Sequence, residues 1–499
     1  IICNNCKTKF NVLDNLIPPE GRMVQCSYCN AKWKQENLSE TSSNLGLWIF
    51  WIITLTITSC NNELENPLKE YVYSTQDEYS YQIIDSIMED DWTGYHVKMI
   101  SGKWLNEELV DQIEWWHYVD IIIPNEINTD NGLLFIDGGT KDEDFFRLDS
   151  ISIKFAVDSK SIIANVSNIP FQPINFLESK QDEFLEDDLI AYAWNKFLTL
   201  GAKKEDIEWL PRFPMTRAVV RAMDLVQEIS LKNKTTLNKF VISGASKRGW
   251  TSWTAAAADD RVISVVPIVI DMLNLLPSFE NHYKSYGEFS YAVQEYVDYD
   301  IHNWMSKDEF KVLMKYVEPY SFKEKYTMPK YIINAGSDQF FSTDSWKYYY
   351  SELPKNKLLR YVPNSNHSLK GRYLDKNLMA YYQKIIQNKK LPELNWKIIN
   401  DSIEVNINSN EKYEISLWTA NNKKGRDFRL WEKGRLWKKS NFKYNLNGTY
   451  KTKFSDSTAG YTAKMFEFIF DSKSEYPFII TTGPYVYPDK YPFGKYSPK

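Results

Sequence analysis

Cysteine is scarce in this sequence and confined to one end of it. All five cysteines lie within the first 60 of the 499 residues. The chain from residue 61 onward therefore cannot depend on disulfide bonds or use a cysteine nucleophile. Any covalent chemistry in that long remainder has to come from other side chains.

An excess of basic residues is also missing. The formal net charge is -5, and the sequence contains no long run of Lys or Arg. A nucleic-acid backbone requires a basic surface, so we expect the main body to bind no nucleic acid. Hydrophobic residues make up 43% of the chain and charged residues 25%. These values are typical of a globular protein, and the length allows two or three domains.

The first four cysteines form two closely spaced pairs. Two residues separate Cys3 from Cys6, and two separate Cys26 from Cys29, so each pair can form a knuckle around one tetrahedral ion. We therefore predict a Zn²⁺ site within residues 1–36, with two reduced thiol pairs as the alternative. The sequence "IICNNCKTKFNVLDNLIPPEGRMVQCSYCNAKWKQ" also resembles the small bacterial zinc-ribbon domains that begin many membrane-anchored proteins.

A hydrophobic run of full membrane-spanning length is missing as well. Residues 45–57 are apolar but fall short of the roughly 20 residues that a spanning helix needs. The run ends in "ITSC", which resembles the lipobox of bacterial lipoproteins. We predict that residues 45–60 are either a lipoprotein signal, cleaved before Cys60, or an uncleaved anchor. Both alternatives place the main body in the periplasm or at the cell surface, held at a membrane.

Strands and helices alternate through much of residues 61–390. Short Val- and Ile-rich runs, such as "KFVISG" at 239–244 and "KYIINAG" at 330–336, indicate strands buried on both faces. Helical stretches between them, such as 246–260, predict an α/β domain with a parallel sheet. Residues 61–115 have no sustained period, and we expect an irregular lead-in with short strands there.

Two segments interrupt this alternation. Residues 272–328 are rich in aromatics and contain no strand-like run, which predicts a helical insertion that acts as a lid over the strand ends. Residues 393–490 change to short alternating segments divided by Asn, Gly and Lys turns, which predicts a small antiparallel β domain.

One serine lies where a predicted strand turns into a helix. In "KFVISGASKRGW", Ser246 follows a buried strand and a Gly-rich turn, the setting of a nucleophile elbow. Serine is also a preferred helix N-cap, with or without chemistry. Asp338 and His367 each follow a later strand, so the three occur in the chain order of α/β-hydrolase triads. We predict Ser246 as nucleophile, His367 as general base and then acid, and Asp338 as the group that orients the imidazole.

Other acidic residues compete with Asp338. Asp271 ends the preceding strand and is the second choice for the triad acid. Asp344 is a third choice, although it is also a candidate helix N-cap.

The oxyanion of such a reaction needs backbone donors. One is expected from the N–H of Lys247, directly after the serine. The other is expected from the loop in "LLFIDGGT", where the candidates are Gly138, Gly139 and Thr140, although this loop can also be a simple tight turn. The side chains of Lys247 and Arg248 either bind an acidic substrate group or are solvated on the helix surface.

Three longer stretches resemble the PhoPQ-activated pathogenicity-related protein family. They are "WLPRFPMTRAVVRAMD", "GASKRGWTSWTAAAADDRVISVVPIVIDMLNL" and "VEPYSFKEKYTMPKYIINAGSDQFFSTDS". The resemblance implies an α/β-hydrolase-like fold. It maps the serine, acid and histidine of the family onto Ser246, Asp338 and His367, and its early Gly-Gly turn onto Gly138 and Gly139. The zinc-ribbon segment is no part of that family.

These features together predict a serine hydrolase that cleaves an ester or amide in a small-molecule or peptide substrate. Acyl transfer of this kind needs no cofactor. The alternative is a protein that keeps the hydrolase fold but binds or signals without turnover.

Overall fold

A computed structural model describes residues 22–25, 32–35, 66–74, 78–142, 148–454 and 460–498. The chain divides into two compact units, Ile1–Leu64 and Glu65–Lys499. In the first unit, β1 (Arg22–Gln25) pairs antiparallel with β2 (Lys32–Gln35). The predicted zinc ligands, the apolar run 45–57 and Cys60 lie outside the described residues, and the predictions about them stay predictions.

The second unit contains the α/β architecture. Its strands are β3 (Ser80–Met88), β4 (Trp92–Lys103), β5 (Glu114–Pro124), β6 (Asn131–Ile136), β7 (Ile163–Val166), β8 (Lys239–Ala245), β9 (Val262–Ile268), β10 (Lys330–Ala335), β11 (Lys357–Val362), β12 (Glu393–Ile399), β13 (Ser402–Asn408), β14 (Tyr413–Asn422), β15 (Trp437–Asn441), β16 (Thr449–Lys453), β17 (Tyr461–Phe470), β18 (Phe478–Thr481) and β19 (Tyr485–Tyr487). Its helices are α1 (Leu68–Tyr73), α2 (Ser150–Ser159), α3 (Glu186–Thr199), α4 (Arg212–Lys232), α5 (Lys247–Ala258), α6 (Leu275–Tyr286), α7 (Gln294–Asp298), α8 (Ile301–Trp304), α9 (Asp308–Val317), α10 (Leu374–Ile386) and α11 (Leu430–Lys433).

Most of these strands belong to one mixed sheet. Its order is β15-β14-β17-β18-β11-β10-β9-β8-β6-β7-β5-β4-β3, with β19 attached to β17. The six strands from β11 to β7 run parallel, and the strands on both flanks are antiparallel. A parallel centre of this order, with helices on both faces, is an α/β-hydrolase fold. The predicted fold class is confirmed.

The central strands are apolar throughout because both faces of the sheet are covered. In β10, Ile332 packs into one buried cluster, whereas Tyr331 and Ile333 pack into a second cluster. Every residue of this strand is buried. A strand covered on both sides reads as a continuous apolar run, which is why these strands are visible in the sequence.

The lead-in is more regular than the sequence indicates. Instead of short strands, β3 has 9 residues and β4 has 12, and the two form an antiparallel pair. The register shifts between Ile83 and Asp85, and again between Ile100 and Gly102. A bulge breaks the alternation of side chains within a strand, so the sequence pattern loses its period there.

The segment 272–328 is helical in the structure. It contains α6, α7, α8 and α9, together with 3-10 turns at Tyr291–Val293 and Pro319–Lys325. Its position along the chain, directly after β9 and before β10, places it beyond the carboxyl end of the parallel strands. Whether it opens and closes as a lid stays a prediction.

The C-terminal strands are antiparallel, but they do not form a separate compact unit. β18 pairs with the last parallel strand β11 through Leu359 and Thr481, and β17, β14 and β15 continue the same sheet outward. β12, β13 and β16 form a second sheet of three strands. Without β18, β11 would present an unpaired edge, and unpaired edges invite aggregation. Period-2 patterns predict strands of this kind but not the neighbour they pair with.

No helix within the described residues combines the length and the apolar character that a bilayer crossing requires.

Candidate active site

Ser246 lies in the turn between β8 and α5. Its backbone has φ 58° and ψ -124°, and its N–H donates to the Ile268 carbonyl at 2.8 Å. Glycines make this sharp turn possible: a Cβ on Gly244 would lie 2.7 Å from the Arg248 carbonyl oxygen, and a Cβ on Gly249 would lie 3.0 Å from that of Gly244. Gly249, the third residue after Ser246, therefore packs against the strand. In the common G-x-S-x-G motif the glycine is the second residue after the serine. The turn is a nucleophile elbow with shifted glycine spacing.

Asp338 and His367 meet because their strands are parallel neighbours. Asp338 follows β10 and His367 follows β11, so both lie at the carboxyl edge of the sheet. His367 Nδ1 is 2.9 Å from Asp338 Oδ2 and 3.2 Å from Oδ1. Asp338 is 3% exposed, and its Oδ1 also accepts the N–H of Phe340 at 2.8 Å. The carboxylate holds the proton on Nδ1 and leaves Nε2 as an acceptor.

The second ring nitrogen of His367 differs from the first. His367 Nε2 is buried and makes no hydrogen bond within the described part of the chain. The ring centroid of Phe340 lies 4.2 Å from that of His367, and Phe340 lines the same cavity as Ser246. The strands that carry Ser246, Asp338 and His367 are β8, β10 and β11, which lie within four adjacent positions of the sheet. Loops at the carboxyl edge of a parallel sheet are where such folds build their sites.

The two alternative acids have other partners. Asp271 accepts the hydroxyl of Tyr349 at 2.7 Å and that of Tyr361. Burial raises the pKa of Asp271 to about 7, against the opposing effect of the two tyrosine hydrogen bonds, and the charge of Asp338 raises it further. Asp344 pairs with Arg426 at 2.5 Å. Among the described residues, Asp338 is the carboxylate that contacts His367.

The predicted oxyanion donors follow two neighbouring strands, β8 and β6. Lys247 begins α5, whose first N–H groups have no acceptor within the helix. Gly139 and Thr140 lie in the loop after β6, the strand next to β8, and Gly139 has φ 116°. The Gly139 carbonyl accepts Gln172 Nε2 at 2.9 Å. The N–H of Gly138 donates to the side chain of Asp137 at 2.8 Å, so Gly139 and Thr140 remain as candidates.

Arg248 holds this loop against the elbow. Its guanidinium donates to both carboxylate oxygens of Glu186 and to the Ile169 carbonyl. A Cβ on Gly138 would lie 2.8 Å from Arg248 Nη2, so a larger residue there would require the guanidinium to shift. Arg248 is therefore neither solvated nor free to bind a substrate.

Lys247 is likewise buried and paired. Its Nζ lies 2.7 Å from Glu186 and 3.0 Å from Asp187. Burial alone would raise the pKa of Glu186, but the charges of Lys247 and Arg248 outweigh it and lower that pKa to about 2. The interpretation that the two basic side chains are solvated is wrong, because they form a buried ion cluster with the start of α3. The acidic first turn "EDD" of α3 was the one signal of this cluster in the sequence.

A cavity opens beside the nucleophile. It contains about 700 Å³ of unfilled space, part of it open to solvent. Ser246 and Lys247 lie on one wall, and residues of the 272–328 insertion form much of the rest. A concave site of this kind beside a nucleophile is a common place for a small ligand to bind.

Within the described residues, no group of three or more His, Cys, Asp or Glu side chains is placed to hold a metal ion. The four predicted zinc ligands lie outside those residues. Four thiolates are a donor set that suits tetrahedral Zn²⁺.

Comparison with known sequences decides the family. The profile of the PhoPQ-activated pathogenicity-related protein family matches residues 68–429. The chain belongs to this family. The match contains all three predicted triad residues, and the predicted resemblance is confirmed. A zinc-ribbon domain profile matches residues 1–34, as predicted.

One curated relative matches nearly the whole chain. It is autocrine proliferation repressor protein A of Dictyostelium discoideum, which is 31% identical over 478 residues, or 89% of this chain and 95% of that protein. The similarity therefore spans most of both proteins.

Solved structures of esterases are similar to part of this chain. Acetyl xylan esterase 1 from Thermoanaerobacterium sp. JW/SL YS485 aligns with a TM-score of 0.45 at 13% identity and covers 64% of this chain and 93% of that chain. The acetyl xylan esterase from Paenibacillus sp. R4 aligns with a TM-score of 0.44 at 11% identity and covers 64% of this chain and 92% of that one. The assignment of the α/β-hydrolase fold rests on the strand order of this protein itself.

Proposed function

We propose that this protein is a serine hydrolase that cleaves an ester or amide through an acyl-enzyme. The observation that carries the proposal is the state of His367. Its Nδ1 is paired with a buried carboxylate, while its Nε2 is buried without a partner. A histidine held in this way is arranged to take a proton from a neighbouring hydroxyl, and the elbow serine lies at the same edge of the sheet.

The first half of the reaction transfers the acyl group to Ser246. As Ser246 Oγ bonds to the carbonyl carbon, its proton passes to His367 Nε2, and the carbonyl π electrons move to the oxygen. The N–H groups of Lys247 and of Gly139 or Thr140 stabilise that oxyanion. When the intermediate collapses, the bond to the leaving group breaks, and His367 gives its proton to the departing oxygen or nitrogen.

The second half releases the acid. Water gives a proton to His367 Nε2 and attacks the acyl carbon, and a second tetrahedral intermediate forms. Its collapse breaks the bond to Ser246 Oγ, which recovers the proton from His367. Throughout, the Asp338 carboxylate stabilises the imidazolium without becoming protonated.

Covalent labelling tests the proposal directly. We expect a fluorophosphonate probe to add one adduct to the full chain and none to the Ser246→Ala variant. Ser252→Ala is the matched control, because Ser252 lies on the same helix and its hydroxyl donates to the Arg248 carbonyl at 2.9 Å. An unlabelled wild-type protein that is otherwise folded would leave the binding or signalling alternative in its place.

We further propose that Cys3, Cys6, Cys26 and Cys29 hold one Zn²⁺ ion. The zinc-ribbon match over residues 1–34 and the four-thiol donor set support this. Elemental analysis of the purified full chain should find about one zinc per molecule and almost none in a Cys26→Ser variant. Cys60→Ser should retain the metal, and equal zinc content in both variants would contradict the assignment.

For residues 45–60 we propose the role that the sequence predicts: they hold an exported main body at a membrane, with lipidation at Cys60 after cleavage as one form. The measurement is the intact mass of the protein extracted from membranes. A mass that begins at Cys60 and includes lipid supports cleavage, a full-length mass supports an anchor, and recovery of all protein in the cytosolic fraction would rule out both.

A further inference from the structure

The cavity beside Ser246 is almost entirely apolar. Its wall combines aromatic side chains from the body of the fold, such as Trp194 and Trp250, with apolar side chains from the insertion, such as Leu275, Val297 and Phe310. Both tryptophans are nearly inaccessible to solvent. Such a surface gains free energy by covering apolar groups of a ligand and offers few partners to polar ones.

Several charged groups also line the cavity. Asp187 pairs with Lys247 Nζ at 3.0 Å and accepts the hydroxyl of Tyr296 at 3.0 Å. Arg212 donates to the Lys247 carbonyl at 3.0 Å and its guanidinium lies 4.5 Å from the ring centroid of Trp250, but its Nε makes no hydrogen bond to any described residue. A charged substrate group would have to compete with the Asp187–Lys247 pair, so we expect the apolar wall to hold the ligand.

The nucleophile itself lies on the cavity wall. Ser246 and Lys247 are part of this wall, and so are Phe340 and Phe341, whose ring centroids lie 4.2 Å and 5.7 Å from that of His367. The leaving group must depart toward His367, which gives it a proton. We therefore place the group that stays bonded to the carbonyl carbon in the rest of the cavity, along the side chains of the insertion.

We propose that this cavity binds the acyl group of the substrate, and that the enzyme acts on esters or amides of apolar carboxylic acids with a medium-length or aromatic chain. This inference rests on the proposed serine hydrolase function. The insertion 272–328 sets the length of the acyl group, because its side chains form the wall that faces Ser246.

A series of p-nitrophenyl esters tests the inference in the full chain. The leaving group is constant across acetate, butyrate, hexanoate, octanoate and benzoate, so the rates report on the acyl group alone. Each buried methylene is worth about 0.8 kcal/mol, which corresponds to about a fourfold rise in kcat/KM per added methylene until the cavity is full. A flat or falling series, with hydrolysis of acetate still dependent on Ser246, would overturn the inference and leave the hydrolase function standing.

A cavity-filling variant tests whether the insertion determines the preference for longer acyl groups. Val297→Phe should lower the ratio of kcat/KM for octanoate to that for acetate by at least about tenfold, because the larger side chain occupies the space. Val312→Phe is the matched control: Val312 belongs to the same insertion and packs on the core without lining the cavity. Equal ratios in the two variants would contradict the assignment of the acyl group to this cavity.

Binding separates failure of this inference from failure of the proposed function. Calorimetry on the Ser246→Ala variant should show binding of octanoate and at least about tenfold weaker binding of acetate, as several buried methylenes require. If octanoate binds but no ester is hydrolysed and no fluorophosphonate adduct forms, the cavity remains an apolar-ligand site and the hydrolase function fails. If octanoate fails to bind while acetate ester is hydrolysed, the cavity inference alone fails.

Discussion

Asp338 and Asp271 follow neighbouring parallel strands, yet their environments give them different properties. Asp338 faces a histidine at 2.9 Å, whereas Asp271 faces two tyrosine hydroxyls. The first arrangement stabilises a carboxylate next to a developing imidazolium. In the second, burial favours the protonated acid and raises the pKa of Asp271 to about 7, although the two tyrosine hydrogen bonds oppose this rise.

The triad acid can be tested by exchanging each carboxyl group for an amide. Asp338→Asn should lower kcat by roughly three to four orders of magnitude, because the amide no longer fixes the tautomer of His367 or stabilises its charged form. Asp271→Asn is the matched variant and should lower kcat by less than about tenfold, since Asp271 does not contact the histidine. Steady-state kinetics on a good ester substrate measures both, and a reversed order would assign the acid to Asp271.

The pH dependence of stability reports on Asp271. Because its pKa is raised from 3.8 to about 7 on folding, the folded protein holds a proton that the unfolded chain releases. The stabilisation that comes from this proton is fully present below pH 3.8 and is lost as the pH rises toward 7. Asp271→Asn cannot titrate. Relative to that variant, we expect the wild type to lose free energy of unfolding at about 1.4 kcal/mol per pH unit across the window.

Urea unfolding of the two proteins at several pH values gives the difference directly. Parallel curves of unfolding free energy against pH would show that Asp271 is ionised in the folded state as it is in the unfolded one.

Helices α3 and α5 are joined to the loop after β6 through Arg248. The guanidinium donates to both oxygens of Glu186 and packs against Gly138, so one side chain aligns three elements around the nucleophile. This arrangement needs the planar guanidinium group with its several N–H donors, and the ammonium group of a lysine cannot replace it.

Arg248→Lys should therefore destabilise the fold and loosen the oxyanion loop. We expect a loss of about 1–2 kcal/mol in unfolding free energy and a lower kcat, because charge-assisted bidentate bonds are lost. Arg221→Lys is the control: Arg221 pairs with Asp224 at 3.2 Å near the surface, and its exchange should cost less than about 1 kcal/mol. Denaturant unfolding and turnover are the two measurements, and equal losses in both variants would contradict the role of Arg248.

The sequence predicts well those elements whose patterns are local. Strands such as β8 and β10 are continuous apolar runs with a turn at each end, and the triad candidates were found because each follows such a run. The ion cluster of Arg248 and Glu186 was missed because its members are 62 residues apart and meet only through packing. The length of β4 was missed because a bulge at Ile100 and Gly102 interrupts its alternation.

At the scale of the whole molecule, the C-terminal tail packs on the insertion. Tyr491 donates to Asn281 on α6 at 2.7 Å, and Tyr496 donates to Asn303 on α8 at 2.7 Å. The N–H of Phe493 donates to the carbonyl of Lys284 at 3.2 Å. The last residues of the chain thus fasten two helices that line the candidate acyl site.

A shortened chain tests this fastening. A chain that ends at Asp489 should expose residues 272–328 to trypsin, with cleavage there at least about tenfold faster, because local opening then costs less free energy. A chain that ends at Tyr496 keeps the tail contacts and should be cleaved at the wild-type rate. Mass spectrometry of the fragments locates the cuts, and equal rates for the two shortened chains would show that the tail does not fasten the insertion.

The pairing of β18 with β11 has a consequence for the nascent chain. The N–H of Tyr361 donates to Thr481 Oγ1, 120 residues further on. A ribosome adds about 5–20 residues per second, so β11 waits roughly 6–25 s for its neighbour. During that time the parallel centre of the sheet has an open apolar edge. We expect these seconds of synthesis to be the interval in which the chain most needs a chaperone.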